Sequence, residues 1–167
     1  KNMLKKISCT QNSLECGTHL PLHLQTKHDI IKNKNKINPL YNNCSGKHIG
    51  MLVLAKMLKT TTNNYINYTH PVQQTIFNNL YNNHDVKALH IGVDGCGAAA
   101  PFFRLKDIAK LYMDFGISSD AIYRTLYKAI VNNPYMIAGK SRFDSFFIDT
   151  MKGAGLCKGG GEGVIGL

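Results

Sequence analysis

The sequence predicts a helix-rich α/β (α+β) fold with few strands. Apolar residues recur at helical spacing in several separate stretches, and a single segment alternates like a strand. A glycine-dense tail then runs into an apolar stretch with no visible partner strand. With 167 residues, 44% of them hydrophobic, the chain is long enough to bury a core, and its length fits one domain over residues 1–167. The excess of helix over strand leads us to expect that this domain is partial.

Taken in order, residues 1–21 read as a helix end followed by the turn Cys16-Gly17-Thr18-His19-Leu20-Pro21, and residues 27–43 as a polar loop. Ser45 then caps a helix from Lys47 to Lys59, on which Met51, Leu52, Leu54, Ala55 and Leu58 form the apolar stripe. A polar stretch, Thr60 to Asn67, leads to Pro71, which suits the first position of a helix with Val72, Ile76, Phe77 and Leu80 on one face. Ala88 to Val93 reads as a strand feeding the turn Asp94-Gly95-Cys96-Gly97. Helices follow over Leu105 to Phe115 and over Ser119 to Val131, the second with a Ser118-Ser119 cap and a stop before Asn132-Asn133-Pro134. A last helix covers Arg142 to Met151, and the tail from Lys152 has too much glycine for regular helix. Its end, Val164-Ile165-Gly166-Leu167, has the character of a strand.

Bulk properties exclude several classes. The longest apolar run, Ile49 to Ala55 with Gly50 inside it, falls short of the roughly 18 residues of a membrane span, so no membrane association is expected. No apolar stretch leads to a small-residue cleavage site near the N-terminus, which argues against a signal peptide. The net charge of +10 raises the question of nucleic acid. Seventeen of the twenty basic residues are lysines, and their densest cluster, Lys27 to Lys36, is diluted with asparagine and isoleucine rather than aromatics, so nucleic acid is not expected as a partner. Five scattered cysteines, an odd number, lack the density of a disulfide scaffold and fit a reducing compartment, the cytoplasm.

Two constellations carry chemistry. In Asn42-Asn43-Cys44-Ser45-Gly46-Lys47-His48, turn-forming residues deliver a thiol, a hydroxyl, an amine and an imidazole to one helix N-terminus, where positive potential lowers a thiol's pKa and stabilises anions. Cys44 suits a thiolate ligand or nucleophile there; a buried cysteine beside an ordinary serine cap accounts for the same residues. In Gly92-Val93-Asp94-Gly95-Cys96-Gly97, a strand ends on a carboxylate and a thiol held in a glycine turn, which is either a site or a structural Asx-turn. Cys44 and Cys96 together could share a zinc, although no Cys-x-x-Cys pair is present. None of the seven serines is followed three places on by lysine, so a Ser-x-x-Lys nucleophile is absent from the chain. A Cys–His dyad drawing on His19, His48, His70 or His90 stays open.

Six blocks in this order, Glu15 to Pro21, Asn42 to Leu52, His70 to Gln73, Gly92 to Gly97, Ala138 to Asp144 and Gly160 to Val164, resemble the class 3, asparaginase II-type L-asparaginases. The Cys-Ser-Gly-Lys-His and Val-Asp-Gly-Cys blocks are the most distinctive when taken together. The resemblance implies an incomplete serine β-lactamase-like fold, and hydrolysis of L-asparagine to L-aspartate and ammonia. It implies a zinc held by Cys44, Lys47 and Cys96, catalytic roles for Asp94, Lys47 and His48, and substrate contacts from Ser45, Gly95 and Arg142; a homodimer stays open. Lysine must lose its proton to ligate, so metal charge would have to depress its pKa.

The family's Ser-x-x-Lys and Ser-His-Ser-Gly-Glu segments, and its later lysine, have no counterpart in this chain. Ala99, Gly161 and Gly166 stand where relatives usually or sometimes carry proline, alanine and cysteine. The expectation is therefore a fragment carrying the zinc-site half of the active centre, inactive alone and exposing sheet edges that favour oligomerisation. The alternatives are a non-catalytic metal-binding remnant and a cysteine hydrolase using Cys44.

Overall fold

The computed structural model describes residues 2–167, apart from the side chain of Glu162. They form two compact units, the first ending at Phe102 and the second spanning Phe103–Leu167. Among the described residues are eight α-helices and four short strands, the strands paired as two antiparallel hairpins, which matches the helix-rich α/β expectation. No helix among them is long and apolar enough to cross a membrane.

The first unit is organised around α3, Ser45–Met57, which buries His48, Met51, Leu52 and Ala55. That i, i+3, i+4, i+7 spacing turns one stripe of the helix inward. Leu4 of α1 (Asn2–Lys6), Leu14, Cys16, Tyr65, Val72, Cys96 and Ala98 complete the core around it. Each fully buried aliphatic such as Leu52 contributes roughly 1.5–3 kcal/mol by leaving water. The helix begins at Ser45 itself, so the cap lies one residue earlier than expected: Cys44 is the N-cap residue, with no side-chain cap bond, and the Ser45 hydroxyl donates instead to the Leu40 carbonyl at 3.4 Å.

Residues 27–43 are not one loop. Helix α2, Leu24–Lys32, takes the first part, with Ile30 buried and the His23 side chain accepting from the Thr26 N–H at its N-terminus. Gln25 donates to Asp29 across one turn at 2.9 Å, a local pairing that supports helix inside a polar composition. Helix α4, Pro71–His84, starts where Pro71 places it and buries Val72, Gln73 and Phe77, while Asp85 closes it in the left-handed region at φ 49°. Strand β1, His90–Val93, pairs with β2, Ala99–Phe102, with Val93 opposite Ala99 and His90 opposite Phe102. The second strand had no alternating signature, because two alanines and a proline occupy it.

In the second unit α5, Leu105–Ile117, α6, Ala121–Val131, α7, Pro134–Ala138, and α8, Phe143–Met151, follow one another closely. Asp120 caps α6 by accepting from the Ile122 and Tyr123 N–H groups, in place of the expected serine pair. A carboxylate oxygen placed at the cap satisfies the first-turn donors as well as a hydroxyl does and adds charge of the favourable sign. Pro134 does end α6, and then serves as the first residue of α7, which periodicity had not shown. Strands β3, Lys158–Gly159, and β4, Ile165–Gly166, form a two-residue hairpin, so only part of the apolar end is strand. Asp144 of α8 is buried and accepts from the Gly159 N–H, fastening that hairpin to the helix.

The most consequential polar contact of the first core is between His48 and Tyr65, both 0% exposed. The Tyr65 hydroxyl lies 2.8 Å from His48 Nδ1 and accepts the Glu15 N–H at 2.8 Å. With its oxygen already accepting, the hydroxyl donates its one proton to Nδ1, which places the ring proton on Nε2, a buried atom with no partner among the described residues. Burial, with Lys47 nearby, lowers the His48 pKa to about 4.

An unfolded chain protonates this histidine near 6.5, whereas the folded protein resists until about 4. The unfolded state therefore binds more protons between those values, and stability falls as pH drops through that window. The loss is on the order of 2–3 kcal/mol for this group. Denaturant midpoints measured from pH 7.5 to pH 4 should show it as a decline beginning near pH 6.5, and His48→Leu should remove that part of the decline.

Candidate functional site

The turn after β1 and the N-terminus of α3 meet in the first unit. Asp94-Gly95-Cys96-Gly97 closes the hairpin through a Gly97 N–H to Asp94 carbonyl bond of 2.8 Å and an Asp94 N–H to Ala98 carbonyl bond of 2.8 Å. Gly97 sits at φ +85°, where a side chain is strained, and an added Cβ would come within 3.2 Å of Ile66. The turn delivers Cys96 inward, 5% exposed, and leaves Asp94 at the surface of the cluster.

From the other side, Asn42 fixes Cys44. Its amide nitrogen donates to the Cys16 carbonyl at 2.6 Å, and its oxygen accepts the Cys44 N–H at 2.8 Å. One helical turn on, the Lys47 ammonium donates to Asp94 Oδ2 at 2.5 Å, and the Cys96 thiol lies 3.5 Å from the same oxygen. The sulfurs of Cys44 and Cys96 and a carboxylate oxygen of Asp94 all lie within 4.8 Å of one another. The structure thus gathers Cys44, Lys47, Asp94 and Cys96, four residues singled out in the sequence, from two segments about fifty positions apart.

Electrostatics fix the protonation of the group. The Lys47 hydrogen bond holds the Asp94 carboxyl below the usual carboxylate range, against the opposing effect of burial. Burial pulls the Lys47 amine down, but its hydrogen bonds to Asp94 and Cys96 outweigh that and leave it above its ordinary value. Burial pushes the Cys44 thiol up, with Cys96 adding to the rise and Lys47 opposing it. The net direction is upward from the ordinary thiol value, so the Cys44 thiol is protonated at neutral pH rather than activated as its place at the helix start suggested.

Two sulfurs and a carboxylate form a donor set suited to a soft-to-borderline divalent cation. Zinc–sulfur bonds of about 2.3 Å at tetrahedral angles separate donors by about 3.8 Å. The observed spread of no more than 4.8 Å is thus about 1 Å from ligating geometry. The donor set fits such an ion, with Lys47 adjoining as a fourth nitrogen donor once deprotonated.

The remaining expected site residues fall differently. His48 shares α3 with Lys47 but is wholly buried against Tyr65. Ser45 is tied to Leu40 by its hydroxyl, and the Gly95 N–H donates to Asp94 Oδ1 at 2.7 Å. Arg142 belongs to the second unit, exposed at the N-cap of α8. Of the histidines considered as dyad partners, His70 is engaged at both nitrogens, by the Val72 N–H and the Thr61 carbonyl, and His90 packs on Phe102 at 5.6 Å. His19 reaches Asn43, next to Cys44, at 3.0 Å.

Tyr65 is a supporting residue that sequence reasoning did not single out, and Glu15 is one that it placed in a family-like block without a role. Tyr65 lies in the polar stretch after α3, where no periodicity marks it. Glu15 accepts the Asn64 N–H at 2.7 Å through one oxygen, and its other oxygen is buried without a partner among the described residues.

Comparison with curated proteins finds no match. The family model for L-asparaginase II, by contrast, matches residues 1–167, and the chain belongs to that family.

Proposed function

We propose that this chain is a class 3 L-asparaginase polypeptide supplying the zinc-site half of the active centre for hydrolysis of L-asparagine to L-aspartate and ammonia. The observation that supports it best is the convergence of Cys44, Asp94 and Cys96 within 4.8 Å, beside the Lys47–Asp94 ion pair. Family membership makes the chain an asparaginase-family amidohydrolase; the zinc and the division of labour below are our reading.

Cys44, Cys96 and Lys47 would hold the ion, with Asp94 next to it. When bound, zinc supplies fixed positive charge that keeps both thiols as thiolates and allows Lys47 to give up its proton. Asp94, kept ionised by the Lys47 ammonium in the free chain and by the ion's charge once Lys47 has become a ligand, would accept hydrogen bonds from an amide N–H or an α-ammonium of the amino-acid substrate. The exposed side-chain surface of this pair, 41% for Lys47 and 43% for Asp94, keeps both groups reachable from solvent. Ser45 and Gly95, on the two segments of the first unit that carry the cluster, are assigned to the substrate. His48 is assigned a place beneath the site, with no proton transfer of its own, because its ring is shut away from solvent.

The attacking group is not assigned to any serine here, since none has a lysine three positions on. Cys44 is a poor substitute, because its thiol is held protonated by burial and by Cys96. Purified chain incubated with L-asparagine should release no ammonia above the blank in a coupled assay. Robust turnover would place a nucleophile within this polypeptide and overturn the assignment. Zinc titrated against a chromophoric chelator should bind in a one-to-one ratio. Cys44→Ser and Cys96→Ser should each weaken it by about 100-fold or more, while Cys9→Ser leaves it unchanged.

A further inference from the structure

The segments that carry the cluster have a common buried anchor. Tyr65 is 0% exposed and makes hydrogen bonds to three other parts of the first unit. Its hydroxyl accepts the Glu15 N–H at 2.8 Å and donates to His48 Nδ1 at 2.8 Å, and its carbonyl accepts from Gln73 of α4 at 2.8 Å. Each bond leads to the cluster by a short covalent path. Glu15 adjoins Cys16, whose carbonyl takes the Asn42 amide that in turn orients the Cys44 N–H. His48 follows Lys47 directly, and its own N–H donates to the Cys44 carbonyl at 3.1 Å. Ile66, the next residue after Tyr65, accepts the Ala99 N–H at 3.1 Å, and Ala99 is paired with Val93, one residue before Asp94.

We propose that Tyr65 is the positioning residue of the thiol–carboxylate cluster, its hydroxyl setting the distance between the Cys44–Lys47 end of α3 and the Asp94–Cys96 turn. The proposal rests on the reading of that cluster as a metal site. Removal of the hydroxyl leaves a part-buried N–H and a buried imidazole nitrogen without their partner, and both backbone segments relax to find others. Burial raises the phenol's pKa, so the hydroxyl keeps the proton it donates.

The test uses the full chain and Co(II) as probe, followed through the thiolate-to-cobalt absorption and the ligand-field bands. Tyr65→Phe, which keeps the ring, should weaken cobalt binding by about 10–100-fold and shift the ligand-field bands. Phe77→Leu, a core change in α4 away from the cluster, serves as the control for lowered stability and should leave the affinity within about threefold. A second pair covers the case in which Tyr65→Phe does not fold. In His48→Asn the amide oxygen stands in for Nδ1 as acceptor and should preserve binding. His48→Leu removes that acceptor, and with it the partnerless Nε2, so it should lose cobalt affinity even though its thermal midpoint holds or rises.

Diamide cross-linking of Cys44 to Cys96, read by peptide mass, reports the same geometry without metal and should fall several-fold in Tyr65→Phe and in His48→Leu. Loss of cobalt binding in every variant, parent included, with the cross-linking difference intact would remove the metal reading and leave the positioning role standing. Parent-like binding and cross-linking in Tyr65→Phe or His48→Leu, or effects that merely track thermal stability in Phe77→Leu, would overturn the positioning role. A parent chain that neither binds cobalt nor cross-links would overturn both.

Discussion

The geometry of the first unit depends on two hydrogen bonds, one buried and one part-buried, converging on one buried phenolic oxygen. A hydroxyl that accepts from Glu15 and donates to His48 is satisfied in both directions, which makes it rigid in a way that a single bond would not be. Its partners are 50 and 17 positions away in sequence, so the same contact fixes chain segments that local propensity leaves unrelated. Apolar packing of Leu52, Ala55 and Val72 supplies most of the driving force around it, but packing is tolerant of small slides. The polar bonds are not, because a slide leaves a buried donor unmatched.

Much of this was legible in the amino-acid order. Helix α3 and helix α4 announce themselves by the spacing of Met51, Leu52 and Ala55 and by Pro71, and β1 by its alternation up to Asp94. The gathering of Cys44, Lys47, Asp94 and Cys96 was expected from the family resemblance, while their places at a helix start and a strand end raised only the pairing of Cys44 with Cys96. What could not be read was whatever depends on three dimensions alone. The partner strand Ala99–Phe102 takes its extended form from pairing with β1, since Ala and Pro carry no strand preference of their own. Helix α2 was hidden by its polar composition, and the reach of Tyr65 to Glu15 and His48 leaves no trace in any window of sequence.

The second unit follows a different logic. Its buried polar groups are carboxylates tied locally: Asp107 to Arg104 at 2.8 Å three residues back, and Asp144 to the Gly159 N–H and, at 3.9 Å, the Lys158 ammonium. Aromatic side chains on α5 and α6 pack between the two helices, with Phe115 near both Tyr123 and Tyr127, and Tyr127 donating to the Gly153 carbonyl at 3.1 Å. Gly166 lies directly under Tyr112, where an added Cβ would fall 2.1 Å from the ring, so only glycine fits beneath this ring. None of the four clustered groups comes from this half of the chain.

Lys47 and Asp94 give the first unit an internal counter-charge. A pocket of like-signed ligands repels itself until a cation arrives, and proteins built that way fold poorly without one. Here the carboxylate already faces an ammonium and the Cys44 thiol is held protonated, so the Lys47–Asp94 pair brings no net charge to the pocket. The scaffold therefore needs no ion to balance this pair, and on the metal reading proposed above, loading would be an exchange of protons for metal on a finished surface.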